Sequence, residues 1–207
     1  MAIDVGAWWG PWSWWLAKRV PRVEAFEPNA SICNTLSAIL PSNVTLHNVA
    51  LSDARGETSL WSPSSELGTE GRSTLVDDGP SGWLPQRVET VPLDDFGYSD
   101  VGFVKIDVEG SELSVLHGGR SLLEKERPTL LVEVEDAQQS PDGMDQIFEY
   151  VKDLGYEGKF LRRGHWHPLS EFDREEARRI GYRRKYMGLF RSSLAREPYV
   201  HNFLFVA

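Results

Sequence analysis

Apolar and polar positions along the chain fall into short blocks whose period switches between two and about three and a half. Ile3-Asp4-Val5-Gly6-Ala7-Trp8-Trp9-Gly10 runs from apolar residues through an acid into two glycines four apart. That pattern predicts a strand, a tight turn, and a helix over Trp12–Arg19 opening with Pro11. Val23–Glu27 reads as a second strand, ended by Pro28. A helix over Ala30–Leu40 follows, with Asn29 as its N-cap. Val44–Val49 reads as a third strand. A β-α-β-α-β order builds a parallel sheet through right-handed crossovers.

From Ser52 to Ser99 the helical period is lost, and Gly, Ser, Pro and acidic residues dominate. Gly56–Trp61 and Arg87–Val91 alternate as strands, an added hairpin between strands three and four. Ser62–Gln86 between them reads as a long mobile loop, a class that tends to be functional. Val101–Ile106 is an apolar strand ending at Asp107, with a helix from about Glu109 to Leu123. Thr129–Val134 is a strand with the acidic end Glu135-Asp136. Met144–Leu154 is a helix with Gly155 as its C′ residue, and Tyr156–Leu161 a strand. Glu171–Lys185 is a basic helix, and His201–Val206 the last strand.

Composition narrows this picture. The 207 residues suit a single domain, 1–207, with a full core. No apolar run is long enough to span a bilayer, and the chain opens directly on a strand rather than on a cleavable signal. The lone Cys33 excludes an internal disulfide and a cysteine-only metal site, so a cytoplasmic protein is expected. A net charge of −9 argues against wrapping a nucleic acid backbone. Residues 159–207 nevertheless hold 11 of the 22 Lys and Arg but 5 of the 31 Asp and Glu. That asymmetry fits either a solvated basic helix or an anionic ligand. Five of the eight Trp lie between Trp8 and Trp15, as packing residues or as an aromatic wall beside a ligand.

Ligands of open α/β sheets bind outside the carboxyl ends of the strands. Those ends carry Asp4 and the Gly6–Gly10 turn, then Glu27, then Asn48 and Ala50, then Asp107 and Glu109, then Glu133, Glu135 and Asp136. Carboxylates are rarely buried unpaired, so this many at one crevice need an explanation. An acid at the end of the second strand suits a ribose diol. The opening turn is not G-x-G-x-x-G, which disfavours an NAD-dependent enzyme. A nucleoside without phosphates fits better, and S-adenosylmethionine is the commonest such cofactor.

Five blocks in this order, Ile3–Ala7, Ala25-Phe26-Glu27-Pro28, Val49–Asp53, Lys105-Ile106-Asp107-Val108-Glu109-Gly110-Ser111-Glu112 and Val115–Gly119, resemble the FkbM family of S-adenosylmethionine-dependent O-methyltransferases. Arg127-Pro128 and Leu131–Val134 extend the likeness, which covers roughly residues 2 to 160. The resemblance implies an α/β class I methyltransferase fold. Its Rossmann-like sheet has seven strands with the last antiparallel, and helices on both faces. It implies cofactor contacts at Asp4, Gly6, Ala7, Trp8, Gly10, Ser13, Glu27, Asn29, Asn48, Ala50 and Asp107. The acceptors it implies are hydroxyls of sugars, polyketides or glycolipids. Two departures stand out: Trp8 replaces the usual Asn, and the usual helix before the first strand is missing, which fits a homodimer or another partner over that face, or a sequence shortened at its start.

Methyl transfer from a sulfonium is an in-line displacement that needs alignment and loss of the hydroxyl proton. Metal-dependent enzymes of this fold use an Asp after the fourth strand and acids after the fifth. Asp107 with Glu133, Glu135 and Asp136 resembles that set, so Mg²⁺ is expected. Relatives that carry a base three residues after the metal Asp have their counterpart here at Gly110, so the base comes from elsewhere. The segment 162–200 is expected to overhang the site as an acceptor-binding cover, offering His165 and His167, and His201 follows it. The expected function is O-methylation of a saccharide or glycolipid hydroxyl. The alternatives are a polyketide or other small-molecule acceptor, or a non-catalytic nucleoside-binding scaffold.

Overall fold

The computed structural model describes residues 1–63, 74–75, 81–135, 139–140, 142–179 and 200–207. Two sheets organise them. The first begins with β1 (Ala2–Val5), β2 (Val23–Phe26) and β3 (Val44–His47), joined through α1 (Pro11–Ala17) and α2 (Ala30–Leu36). It continues with β8 (Phe103–Ile106) and β9 (Thr129–Glu133), linked by α3 (Glu112–Gly118) and α4 (Arg120–Glu126). Helix α5 (Gly143–Asp153) leads to β10 (Glu157–Arg162) and β11 (His165–Pro168), and β12 (Asn202–Val206) completes the sheet. The second sheet is built from β4 (Ala50–Leu51), β5 (Gly56–Pro63), β6 (Thr74–Leu75) and β7 (Trp83–Val91).

In the first sheet the strand order is β11-β10-β12-β9-β8-β1-β2-β3. Strands β3, β2, β1, β8 and β9 pair in parallel, and β12 inserts antiparallel to both β9 and β10. The result is an α/β fold with a mixed sheet, consistent with a Rossmann-like methyltransferase fold. Strand alternation assigns the two faces. Ile3 and Val5 of β1, Val104 and Ile106 of β8, and Phe203 and Phe205 of β12 enter one large core with Val115, Leu123 and Ile147 of α3 to α5. Ala2 and Val23 instead pack with Leu16 of α1, and Ala25 with Leu36 of α2. Helices therefore cover both faces. Each fully buried Leu, Ile or Phe in the large core contributes roughly 1.5–3 kcal/mol relative to exposure.

Four differences from the sequence expectation have physical reasons. First, among the described residues the sheet has eight strands where seven were expected. Strand β11 returns antiparallel along β10 through Arg163-Gly164, with φ of 51° and 80°, a two-residue turn whose twist matches a hairpin. The segment 162–200 thus begins with a strand at the sheet edge. Second, the hairpin between strands three and four is part of a four-stranded sheet: β5 and β7 pair from Gly56 to Trp83, with β4 and β6 flanking them. Third, the helix expected up to Leu123 breaks at Gly119 into α3 and α4. Asp94 supplies the second start, since its carboxylate accepts from the N–H groups of Ser121 and Leu122 at 2.8 and 2.9 Å. Fourth, residues 169–171 form a 3₁₀ turn and 174–179 a short helix. The rest of the expected basic helix, most of the expected loop at 62–86, and Asp136 lie outside the described residues. Among the described residues no helix is long and apolar enough to cross a membrane.

Candidate active site

The carboxyl ends of β1, β2, β8 and β9 open into a cavity of about 220 Å³. Gly6 and Trp8 from the first turn line one side, and Glu27 and Pro28 from the end of β2 the next. Val49, Leu51, Leu60 and Leu75 form an apolar wall, the last three contributed by the second sheet. Asp107, Glu109 and Glu133 face them from the ends of β8 and β9.

The first turn is set by backbone geometry. Gly6 has φ +77°, and a Cβ there would meet the carbonyl oxygen of Asp107 at 1.8 Å. Gly10 has φ +78°, and its Cβ would press on Leu36 at 2.9 Å. Both glycines are thus fixed by the approach of neighbouring chain and by their left-handed conformation. Glu27 is held from three directions. The backbone N–H of Trp8 donates to Oε2 at 2.9 Å and that of Asn29 to Oε1 at 2.8 Å. The Asn48 amide and the Cys33 thiol donate to its carbonyl. Burial raises the Glu27 carboxyl above its ordinary range, and the two N–H donors oppose that shift.

On the opposite side the acids crowd one another. Glu109 is pushed up to about 8, chiefly by burial and then by the charges of Asp107, Glu135 and Glu133. Its backbone sits at φ +55°, a conformation that costs a non-glycine residue energy and tends to occur at functional sites. Glu133 is pushed up to about 7, again by burial first and Asp107 second. Lys105, itself 3 % exposed, donates from Nζ to Asp107 Oδ2 at 2.8 Å. His201 Nε2 lies 3.7 Å from Glu133 Oε1.

The family profile described as Methyltransferase FkbM domain matches residues 4–157. The chain belongs to the FkbM methyltransferase family. Among solved structures, the FkbM methyltransferase of Methylobacillus flagellatus KT is similar, with a TM-score of 0.57 and 17 % identity. That match covers 100 % of this chain and 43 % of the other, so the present chain spans less than half of that protein's length. Precorrin-8w decarboxylase from Methanobacterium thermoautotrophicum is similar at a TM-score of 0.50 and 16 % identity, covering 100 % of this chain and 80 % of that one. At these identities the likeness is one of fold. No curated protein matches the chain.

In this FkbM chain the expected cofactor residues divide into those at the cavity and those behind it. Gly6, Trp8, Glu27, Ala50 and Asp107 line the cavity. Asn29 holds Glu27 through its N–H and caps α2 through its side chain, which accepts from Ser31 and Ile32. Asn48 is exposed and ties down the backbone after β2. Asp4 is fully buried and accepts from the Ser13 hydroxyl at 2.6 Å, which anchors α1 to β1. Ala7 is buried against Ala25 and Leu36, and its carbonyl accepts from the Gly10 N–H.

The expected bases separate too. His201 stands beside Glu133, whereas His165 and His167 lie on β11, three strands from β9 and so about 14 Å across the sheet. His167 stacks on Phe160 and faces Glu171 at 3.4 Å, and His165 is exposed. The donor set for Mg²⁺ is not assembled by the described residues. No three His, Cys, Asp or Glu among them are disposed to hold a metal, and the Lys105 ammonium occupies one oxygen of Asp107. Glu133 closes β9 and Glu135 follows it, and Asp136 is outside the described residues.

Two contributions escaped the sequence reading. Lys105 stands inside the most specific family block, but nothing in its pattern says that a strand lysine turns back onto its own strand-end acid. Leu60 and Leu75 belong to an insertion whose register with the main sheet no local pattern encodes.

Proposed function

We propose that this chain is an S-adenosylmethionine-dependent O-methyltransferase acting on a hydroxyl of a saccharide or glycolipid. The observation that carries the reading is Glu27, fixed at the end of β2 with both oxygens oriented by backbone N–H groups and facing the cavity. A carboxylate has about four acceptor positions, so two remain for a ribose diol. The residues fit the rest of the cofactor as well: Val49, Leu51, Leu60 and Leu75 offer an apolar wall to a purine. With β11 set aside, the remaining seven strands and the reversed β12 support the class I methyltransferase reading.

The cofactor supplies a methyl group on a sulfonium, and the chain supplies alignment and proton removal. Glu133 is the proton acceptor in this reading. Its carboxyl, pushed up to about 7, is matched to neutral pH, where a general base is most effective. The proton arrives at a Glu133 carboxylate oxygen, and His201 beside it passes the proton toward solvent. Lys105 keeps the Asp107 carboxylate in place through Oδ2.

The test is calorimetry of the cofactor, followed by a screen of saccharide acceptors with methyl-labelled cofactor. Micromolar binding and label on a sugar hydroxyl are the expected results. No binding at high micromolar cofactor would sink the reading, and label only on polyketide hydroxyls would change the acceptor class.

A further inference from the structure

Trp8 stands apart from the other tryptophans of the opening segment. Trp12 stacks on Phe103, and Trp15 carries the Arg19 guanidinium over its ring at 3.7 Å. Trp8 alone of the five lines the cavity. Its backbone is left-handed, with φ +47°, a conformation that bulky residues rarely adopt. The hydrogen bond from its N–H to Glu27 Oε2 pins it there. The backbone that carries the indole is thus fixed, at a cost in strain, one hydrogen bond from the carboxylate assigned to the ribose. Asp107, Glu109 and Glu133 line the same cavity, with the ammonium of Lys105 against Asp107. Glu109 and Glu133 hold their protons up to about 8 and 7, and a cation beside them and Asp107 is favoured because it offsets the mutual repulsion of these acids. An aromatic face attracts a cation through its quadrupole.

We infer that the Trp8 ring is the face against which the cofactor's sulfonium sits, so that the site tells the charged methyl donor from its neutral thioether product. The inference rests on the S-adenosylmethionine reading. When the methyl group leaves, the sulfur loses its positive charge and with it the attraction of the ring. Product release is favoured and product inhibition is weak.

The test is calorimetry of three ligands on the full chain: S-adenosylmethionine, sinefungin, which carries an amine where the sulfonium stands, and S-adenosylhomocysteine. Wild type is compared with Trp8→Asn and Trp8→Phe. Asn tolerates the left-handed backbone better than Trp, so that variant is expected to fold. Trp8→Asn should weaken the two cationic ligands about tenfold and leave S-adenosylhomocysteine within about twofold, which also serves as the folding control. Trp8→Phe should retain most of the preference. An equal loss for all three ligands, or no loss for any, overturns the inference while leaving the cofactor reading intact. Failure of wild type to bind any of the three removes both.

Discussion

Glu27 and Glu109 sit on opposite sides of the cavity and are tuned by different means. Glu27 receives two backbone N–H groups that oppose the upward shift burial imposes on its carboxyl. Glu27→Gln offers only one acceptor oxygen in their place, so cofactor affinity should fall by about 10- to 100-fold, as read by calorimetry, because hydrogen bonds to charged acceptors contribute about 1.5–3 kcal/mol. Glu109 is raised from 4.5 to about 8 by burial and neighbouring acids. In the unfolded chain it ionises near 4.5, while in the fold it holds its proton until about 8. Its contribution to stability is present in full below 4.5 and is lost as pH rises to about 8. Glu109→Gln should therefore melt higher than wild type at pH 8–9, by a few degrees, and converge with it near pH 4.5, as followed by thermal denaturation. Glu27 is legible in the sequence because an acid between a strand's apolar run and a proline has one natural place. The crowding of acids at Glu109 is legible too, from their shared place at strand ends, but the burial that chiefly raises its carboxyl is not, because it depends on how the loops after β8 and β9 pack.

The elements divide the same way. Strands β2 and β8 announce themselves through largely apolar runs ending in acids, and β1 through a short apolar run into a glycine turn, since both faces of a parallel strand are buried. Strand β11, His165-Trp166-His167-Pro168, carries no such run and exists because the Arg163-Gly164 turn folds it back onto β10. The turn pair is the legible part, and the strand follows from it. Helix α4 is likewise not self-defined. Its start depends on Asp94, 27 residues before Ser121, whose carboxylate receives the N–H groups of Ser121 and Leu122. Asp94→Ala should cost about 1 kcal/mol in urea unfolding and leave cofactor affinity unchanged. A loss much below that would mean α4 is nucleated by its packing alone.

At the scale of the whole molecule, a cofactor that spans the ends of several strands should bind only the folded chain. Saturation at about 100 times the dissociation constant should add about 2.7 kcal/mol, a rise of roughly 5–10 °C in melting temperature. Because the described acids do not assemble a cation site, that rise should be the same in excess EDTA, and turnover should persist there. Loss of either on chelation would bring Asp136 and a metal into the site. The close passage of Gly6 over the Asp107 carbonyl has a consequence for engineering. The turn after β1 and the loop after β8 lie far apart in the chain, yet they are two halves of one joint. A chimera that takes either loop from another FkbM protein must take its counterpart with it, because any side chain at position 6 would prise apart the strand ends that shape the cavity.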